Sequence, residues 1–208
     1  MKTIITGALV AATVTFTACN NSNNNAHDAH QHDTAAMAMK QGSSPADHSI
    51  VQVKPRFTNV DANVMASLTP VFGHYLHLKN SLAADNSAEA AGSGKAMEIA
   101  LEKVDKAAMT PEQQKEYHEN EDDLKEHAEH IGRNEGNIAH QREHFAQMSE
   151  DVYALVKAFG GKQTLYHDYC PMYNDNKGAL WLSETKDIQN PYMGSKMPAC
   201  GSVKEMIQ

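Results

Sequence analysis

Two short clusters near the C-terminus hold the residues best suited to chemistry. The first contains Cys170 and Met172, and the second contains Met197 and Cys200. Thiolates and thioethers are soft donors that favour Cu(I) and disfavour hard ions such as Mg²⁺ and Ca²⁺. Each methionine lies within three residues of its cysteine, so one turn in each loop could direct all four sulfur atoms inward. The pattern predicts a metal site made of these four residues, with Cu(I) as the preferred ion.

The same residues also have structural explanations. Two cysteines left in an exported protein commonly form a disulfide, and methionine fills irregular gaps in apolar cores. Trp181, the only tryptophan, lies between the clusters and is expected to anchor them in the core. Met193 and His167 are the nearest further donors. The sequence leaves open whether the cysteines bind metal, form a disulfide, or alternate between the two.

The N-terminal segment, residues 1–18, is typical of a lipoprotein signal peptide. The run from Thr3 to Ala18 is uncharged, mostly apolar and too short to span a bilayer. Its last residues and Cys19 resemble a bacterial lipobox, with Phe16 where leucine is usual. We expect lipidation of Cys19 to anchor the protein to a bacterial membrane. The alternative is an ordinary signal peptide in which the cysteine is incidental.

Residues 19–56 are predicted to be a disordered tether, because they contain few large apolar residues. Imidazole binds Cu(II) and thioether binds Cu(I), so its histidines and methionines could capture metal for the C-terminal clusters. The alternative is a polar linker of biased composition. The donors in this segment are His27, His30, His32, Met37, Met39 and His48.

The overall charge and the motif content exclude several functions. Eighteen basic residues against twenty-six acidic ones give a net charge of −8, which argues against nucleic acid as a partner. The sequence contains no evident nucleophile–base arrangement and no phosphate-binding loop. We therefore do not expect an enzyme.

Residues 57–161 have the apolar periodicity of four helices. Asp61 is expected to cap the first helix. Thr110, Pro111 and Gln113 read as the N-cap, the first-turn proline and the capping-box partner of the third. The short turns between the helices predict a mainly α fold, a four-helix up-and-down antiparallel bundle.

Four histidines form two pairs on these helices. His127 and His130 share one side of the third helix, and His140 and His144 share one side of the fourth. Either pair could chelate a divalent ion such as Zn²⁺, but a site needs a third ligand. Solvated surface histidines are the simpler interpretation, and Zn²⁺ is the second candidate ion after Cu(I).

Residues 162–208 lose the helical pattern and read as a small C-terminal Cys/Met-containing hairpin cap. Two strand-like runs, 163–169 and 179–183, flank a turn at 174–178. We expect this cap to pack on the bundle as part of the same domain. Its closing ends would bring Cys170 and Cys200 together.

From about residue 60 to the end, the chain resembles a domain family of unknown function that is common in Bacteroidota. That family occurs in small lipoproteins and fused to copper/silver-type efflux adaptor (membrane-fusion) proteins. The matching residues are Tyr75, Leu78-Lys79, Leu82, Gln141-Arg142, Phe145, Ser149, Cys170-Pro171-Met172, Gly178-Ala179, Trp181-Leu182-Ser183, Ile188, Asn190-Pro191-Tyr192, Gly194, Met197 and Cys200-Gly201. Tyr173 and Pro198-Ala199 depart from the family pattern without removing a sulfur atom.

The resemblance implies a role in heavy-metal efflux, with an efflux adaptor as a partner. Together with the residue pattern, it predicts a lipid-anchored periplasmic protein at the outer membrane that carries or buffers Cu(I). Two alternatives stay open. One is a disulfide-stapled interaction domain that docks on an efflux adaptor without binding metal, and the other is a zinc-binding lipoprotein.

Overall fold

The computed structural model describes residues 50–208, so Cys19, the signal segment and most of the predicted tether lie outside the described residues. This part of the chain is mainly helical, as predicted. Its long helices are α1 (Ala62–Ala83), α2 (Ser87–Leu101), α3 (Pro111–Arg133) and α4 (Ile138–Phe159). Within residues 50–208, no helix combines the length and the apolar character needed to cross a membrane.

The helices begin and end at the residues that the sequence indicates. The Asp61 carboxylate accepts a hydrogen bond from the Asn63 N–H (2.7 Å) at the start of α1. Thr110 and Gln113 form the predicted capping box at the start of α3. These side chains satisfy backbone N–H groups that have no partner inside the helix, which is why local sequence sets the helix boundaries.

Each helix packs on the next one in the chain, and α2 and α3 approach each other most closely through glycine. A Cβ atom at Gly94 would lie 2.9 Å from both the Ala128 carbonyl oxygen and the Gly132 nitrogen. A methyl group cannot be accommodated at that distance from two backbone atoms, so glycine is required there.

The C-terminal region is a four-stranded sheet, which corrects the predicted hairpin cap. Its strands are β1 (Val51–Val53), β2 (Leu165–Cys170), β3 (Ala179–Ser183) and β4 (Ser202–Ile207), in the order β1-β4-β2-β3. The hairpin of β2 and β3 is present, but β4 pairs antiparallel with the other edge of β2. Residues 51–53, which sequence places in the tether, pair parallel with β4. This pairing joins segments about 150 residues apart, so no local pattern reveals it.

The sheet docks on the bundle through buried aromatic residues. Trp181 of β3 is fully buried, and its ring lies edge-on to Tyr192 with centroids 5.8 Å apart. The Tyr75 hydroxyl of α1 accepts a hydrogen bond from the Leu182 N–H (2.9 Å) and contacts the Ser149 hydroxyl of α4 (2.9 Å). One side chain therefore joins α1, α4 and β3, and it holds the sheet at a fixed position on the helices.

Candidate metal centres

The sheet brings the two C-terminal cysteines together. Cys170 is the last residue of β2, and Cys200 lies two residues before β4, which pairs with β2 through Tyr169 and Ser202. The Sγ atoms are 3.0 Å apart, with Cys170 buried and Cys200 partly exposed. The pair therefore has one side closed by protein and one side within reach of solvent.

Asn190 holds the loop that carries Cys200. It is fully buried, its amide nitrogen donates to the Cys200 carbonyl (2.6 Å), and its side-chain oxygen accepts from the N–H groups of Tyr192 and Met193. Gly201 follows Cys200 with φ +142, and a Cβ there would lie 2.9 Å from the Trp181 ring. Glycine thus lets the loop turn closely over the tryptophan into β4.

The surroundings of the two cysteines lower the pKa of one thiol and raise the pKa of the other. Burial alone would raise the pKa of the Cys170 thiol, but hydrogen bonds from Cys200, from the Met172 and Tyr173 N–H groups and from Asn190 lower that pKa below its ordinary value. The hydrogen bond that Cys200 donates to Cys170, followed by burial, raises the pKa of Cys200 to about 11. Cys170 is therefore the first thiolate, and thiolates are the form that binds metals and attacks disulfides.

The two predicted methionine ligands sit beside the cysteines in the chain, with different exposure. Met172 directly precedes a tight turn at Tyr173–Asn176, and 48% of its surface is exposed. Met197 is partly buried, and its carbonyl accepts from the Cys200 N–H (3.1 Å). Of the reserve donors, Met193 belongs to the Asn190 turn, and the His167 ring packs 4.3 Å from the Tyr153 ring.

Arg142 connects the Cys200 loop to the bundle. Its guanidinium donates to the carbonyl oxygens of Pro191 (2.7 Å) and Leu82 (2.8 Å) and to the Asp85 carboxylate (2.6 Å). The other oxygen of Asp85 accepts from the Ser195 N–H (2.9 Å). Hydrogen bonds from Ser195 and then from Arg142 hold the pKa of Asp85 well below its usual value. This ionised pair fixes the loop against the ends of α1 and α4.

A second group of donors lies between α3 and α4, where the structure combines the two predicted histidine pairs. The ligand nitrogen atoms of His130, His140 and His144 all lie within 4.8 Å of one another. The Nδ1 atoms of His127 and His144 are 3.1 Å apart. We call His127, His130, His140 and His144 the histidine cluster.

Gln141 holds α4 in the position that assembles this cluster. It is fully buried, its amide nitrogen donates to the carbonyls of Ser87 (3.0 Å) and Ile131 (3.2 Å), and its oxygen accepts from the Ser87 hydroxyl (2.8 Å). The first turn of α4 is therefore tied to α2 and α3. His140 and His144 flank Gln141 on the same helix and inherit this fixed position.

His144 and His127 favour the neutral imidazole. Burial, and then the neighbouring rings of His130, His140 and His127, lower the pKa of His144 to about 4. Burial also lowers the pKa of His127, against the nearby carboxylates of Glu126 and Asp123. Neutral imidazole is the form that binds metal ions.

Sequence reasoning found each pair of the cluster but missed that the pairs meet. The signal was the turn at 134–137 between α3 and α4. In two antiparallel helices joined by a short turn, residues at equal distances from that turn face each other. His130 and His140 lie four and three residues from the ends of this turn, and His127 and His144 each lie seven residues from them.

Among known proteins, a family model matches the helical part of the chain. No curated protein and no solved structure matches the chain. The matched family model includes the whole histidine cluster and ends before Cys170. Residues 71–164 thus match the family described as "Protein of unknown function (DUF3347)".

Proposed function

We propose that this protein is a membrane-tethered periplasmic carrier or buffer for a soft metal ion, Cu(I), in support of metal efflux or resistance. The observation that carries the proposal is the 3.0 Å separation of the Cys170 and Cys200 sulfur atoms, at the end of β2 and in the loop before β4. Two thiolates side by side form a soft donor set that selects Cu(I) over hard ions.

The geometry of the pair fits a shared ion after a small adjustment. Two thiolates at about 2.3 Å from a tetrahedral ion are roughly 3.8 Å apart. The sulfur atoms would need to separate by about 0.8 Å, which a small side-chain rotation of the partly exposed Cys200 supplies. Met172 follows Cys170 by two residues, and Met197 precedes Cys200 by three. Their thioethers are the third and fourth donors of the proposal.

The main alternative uses the same two atoms. A disulfide needs the sulfur atoms about 2.05 Å apart, so the pair would close by about 1 Å. The protein would then be a stapled domain that docks on an efflux adaptor without metal. Both cysteines are free thiols in the structure, and their 3.0 Å separation is slightly nearer the spacing for a shared ion than that of a disulfide.

Anaerobic Cu(I) titration against a colorimetric Cu(I) chelator separates these functions. The full chain, reduced, is compared with a Cys170→Ser, Cys200→Ser variant, and Met206→Leu serves as a matched control for Met172→Leu and Met197→Leu. The proposal expects the serine variant to lose one equivalent of Cu(I), and each leucine change near the cysteines to weaken binding while the control does not. Unchanged Cu(I) uptake by the serine variant would contradict it.

A tether that delivers metal is part of the proposal and has its own test. Deletion of residues 20–49 removes all six tether donors and leaves β1 in place. We expect the deletion to slow Cu(I) transfer to the cysteines and to lower the total uptake. Unchanged rate and stoichiometry would leave the segment as a linker only.

A further inference from the structure

We propose that the histidine cluster is a second metal site, which binds a borderline divalent ion, Zn²⁺, through imidazole nitrogen atoms. The site lies between α3 and α4, in the helical part of the chain, and uses none of the sulfur donors. It therefore stands independently of the Cu(I) proposal.

The spacing of the nitrogen atoms matches what a tetrahedral ion requires. Ligands at 2.0–2.1 Å from Zn²⁺ lie roughly 3.3 Å from one another. His127 and His144 already have Nδ1 atoms 3.1 Å apart. The ligand atoms of His130, His140 and His144 lie within 4.8 Å of one another, and these side chains are only partly buried, so they can close on an ion by rotating.

The other three rings of the cluster are arranged around His144. His144 is the central member, with ring centroids 4.2 Å from His130, 4.5 Å from His140 and 5.3 Å from His127. The four imidazoles come from two helices, two from α3 and two from α4. A shared ion would bind His130, His140 and His144, with His127 beside His144 as a further donor.

The backbone beneath the cluster is rigid, which reduces the ordering needed on binding. Gln141 ties the first turn of α4 to α2 and α3, and Gly94 brings α2 against α3 beside Gly132. Preorganised ligands on helices hold a metal more tightly than ligands on loops, because less conformational entropy is lost.

The surrounding charges favour a cation. The Glu143 carboxylate lies 3.5 Å from His140 Nδ1, where it can orient the ring and leave the other nitrogen for the ion. On α3, Asp123 and Glu126 lie four residues and one residue before His127. Imidazole donors with acidic neighbours suit a divalent ion that prefers nitrogen ligands, such as Zn²⁺, and they do not suit Ca²⁺, which prefers oxygen ligands.

The test is Zn²⁺ binding by equilibrium dialysis of the full chain carrying Cys170→Ser and Cys200→Ser, so that the sulfur site contributes nothing. In that background the cluster variant carries His130→Gln, His140→Gln and His144→Gln. The matched control carries His74→Gln, His77→Gln and His118→Gln, which removes as many helical imidazoles outside the cluster. We expect the cluster variant to lose one equivalent of Zn²⁺, with at least a tenfold loss of affinity, while the control keeps it.

Thermal melting and NMR spectroscopy give readouts that do not depend on stoichiometry alone. Zn²⁺ should raise the melting temperature of the control and not that of the cluster variant, because only a folded cluster binds it. In the protein with an intact cluster, one equivalent of Zn²⁺ should shift the imidazole nitrogen resonances of the cluster. Equal Zn²⁺ uptake and equal melting shifts in both variants would overturn the proposal. Unshifted cluster resonances in the protein with an intact cluster would overturn it even if the cluster variant failed to fold.

Discussion

Replacing Gly94 with alanine should destabilise the protein, whereas the same change at Gly92 should stabilise it. Both glycines lie in α2, two residues apart. A Cβ at Gly94 would meet two backbone atoms of α3 at 2.9 Å, while a Cβ at Gly92 meets nothing within 4 Å. The two changes are chemically identical and differ only in what the new methyl group touches.

The expected magnitudes follow from two opposing effects. Alanine in a helix interior is more favourable than glycine by about 0.8–1.0 kcal/mol. At the exposed Gly92 this effect acts alone, so the free energy of unfolding should rise by about 0.5–1 kcal/mol. At Gly94 overpacking costs about 1–3 kcal/mol, and the carbonyl of Ala128 cannot move without shifting α3. The net loss there should be up to about 2 kcal/mol.

Urea denaturation followed by circular dichroism measures both values, and thermal melting provides a second estimate. For a domain of this size, 1 kcal/mol corresponds to about 2–4 °C in melting temperature. The two variants should therefore move in opposite directions from the unsubstituted protein. A Gly94→Ala protein as stable as Gly92→Ala would refute the close α2–α3 contact.

Two further predictions concern the sheet and the pH dependence of stability. Tyr75→Phe leaves the buried Leu182 N–H without its partner. It should therefore lower the free energy of unfolding, measured by urea denaturation, by about 2 kcal/mol. The control change Tyr166→Phe should alter that free energy by less than about 0.5 kcal/mol. Equal effects of the two changes would contradict the docking role of Tyr75. Burial, and then Asp123 and Glu150, raise the pKa of Asp151 from 3.8 to about 7. The folded state therefore holds the proton of this carboxyl group more tightly than the unfolded state does. The protein should lose stability as the pH rises from about 4 to 7. Asp151→Asn should therefore leave the free energy of unfolding unchanged near pH 4 and raise it by about 1 kcal/mol at pH 8. This value is kept small because the side chain keeps contact with water. A difference in melting temperature that does not change with pH would count against this reasoning.

The helical half of the fold could be predicted because its signals are local. Asp61, Thr110 and Gln113 cap helices within three residues of themselves, and apolar residues repeat at the helical period. The strand at 179–183 was also predictable from its apolar run. The sheet beyond the hairpin was not, because β1 is three residues long and pairs with β4 at the far end of the chain. Such pairing depends on tertiary context rather than on the strand's own sequence.

The two candidate sites differ in the same way. Cys170 and Cys200 were expected to meet, and they do, although the strand that brings Cys200 close is β4 rather than the end of a hairpin. The histidine pairs were visible as i, i+3 and i, i+4 spacings, which describe one helix at a time. Their convergence at His144 depends on the register of α3 against α4, and that register is set by tertiary hydrogen bonds such as those of Gln141.

The central claim is that Cys170 and Cys200 bind one Cu(I) ion between them, and X-ray absorption spectroscopy tests it most directly. The reduced full chain is loaded anaerobically with one equivalent of Cu(I), and its copper-edge spectrum is compared with that of the Cys170→Ser, Cys200→Ser variant. We predict sulfur-only neighbours in the unsubstituted protein and their replacement or loss in the variant. Nitrogen or oxygen neighbours in both proteins would contradict the account.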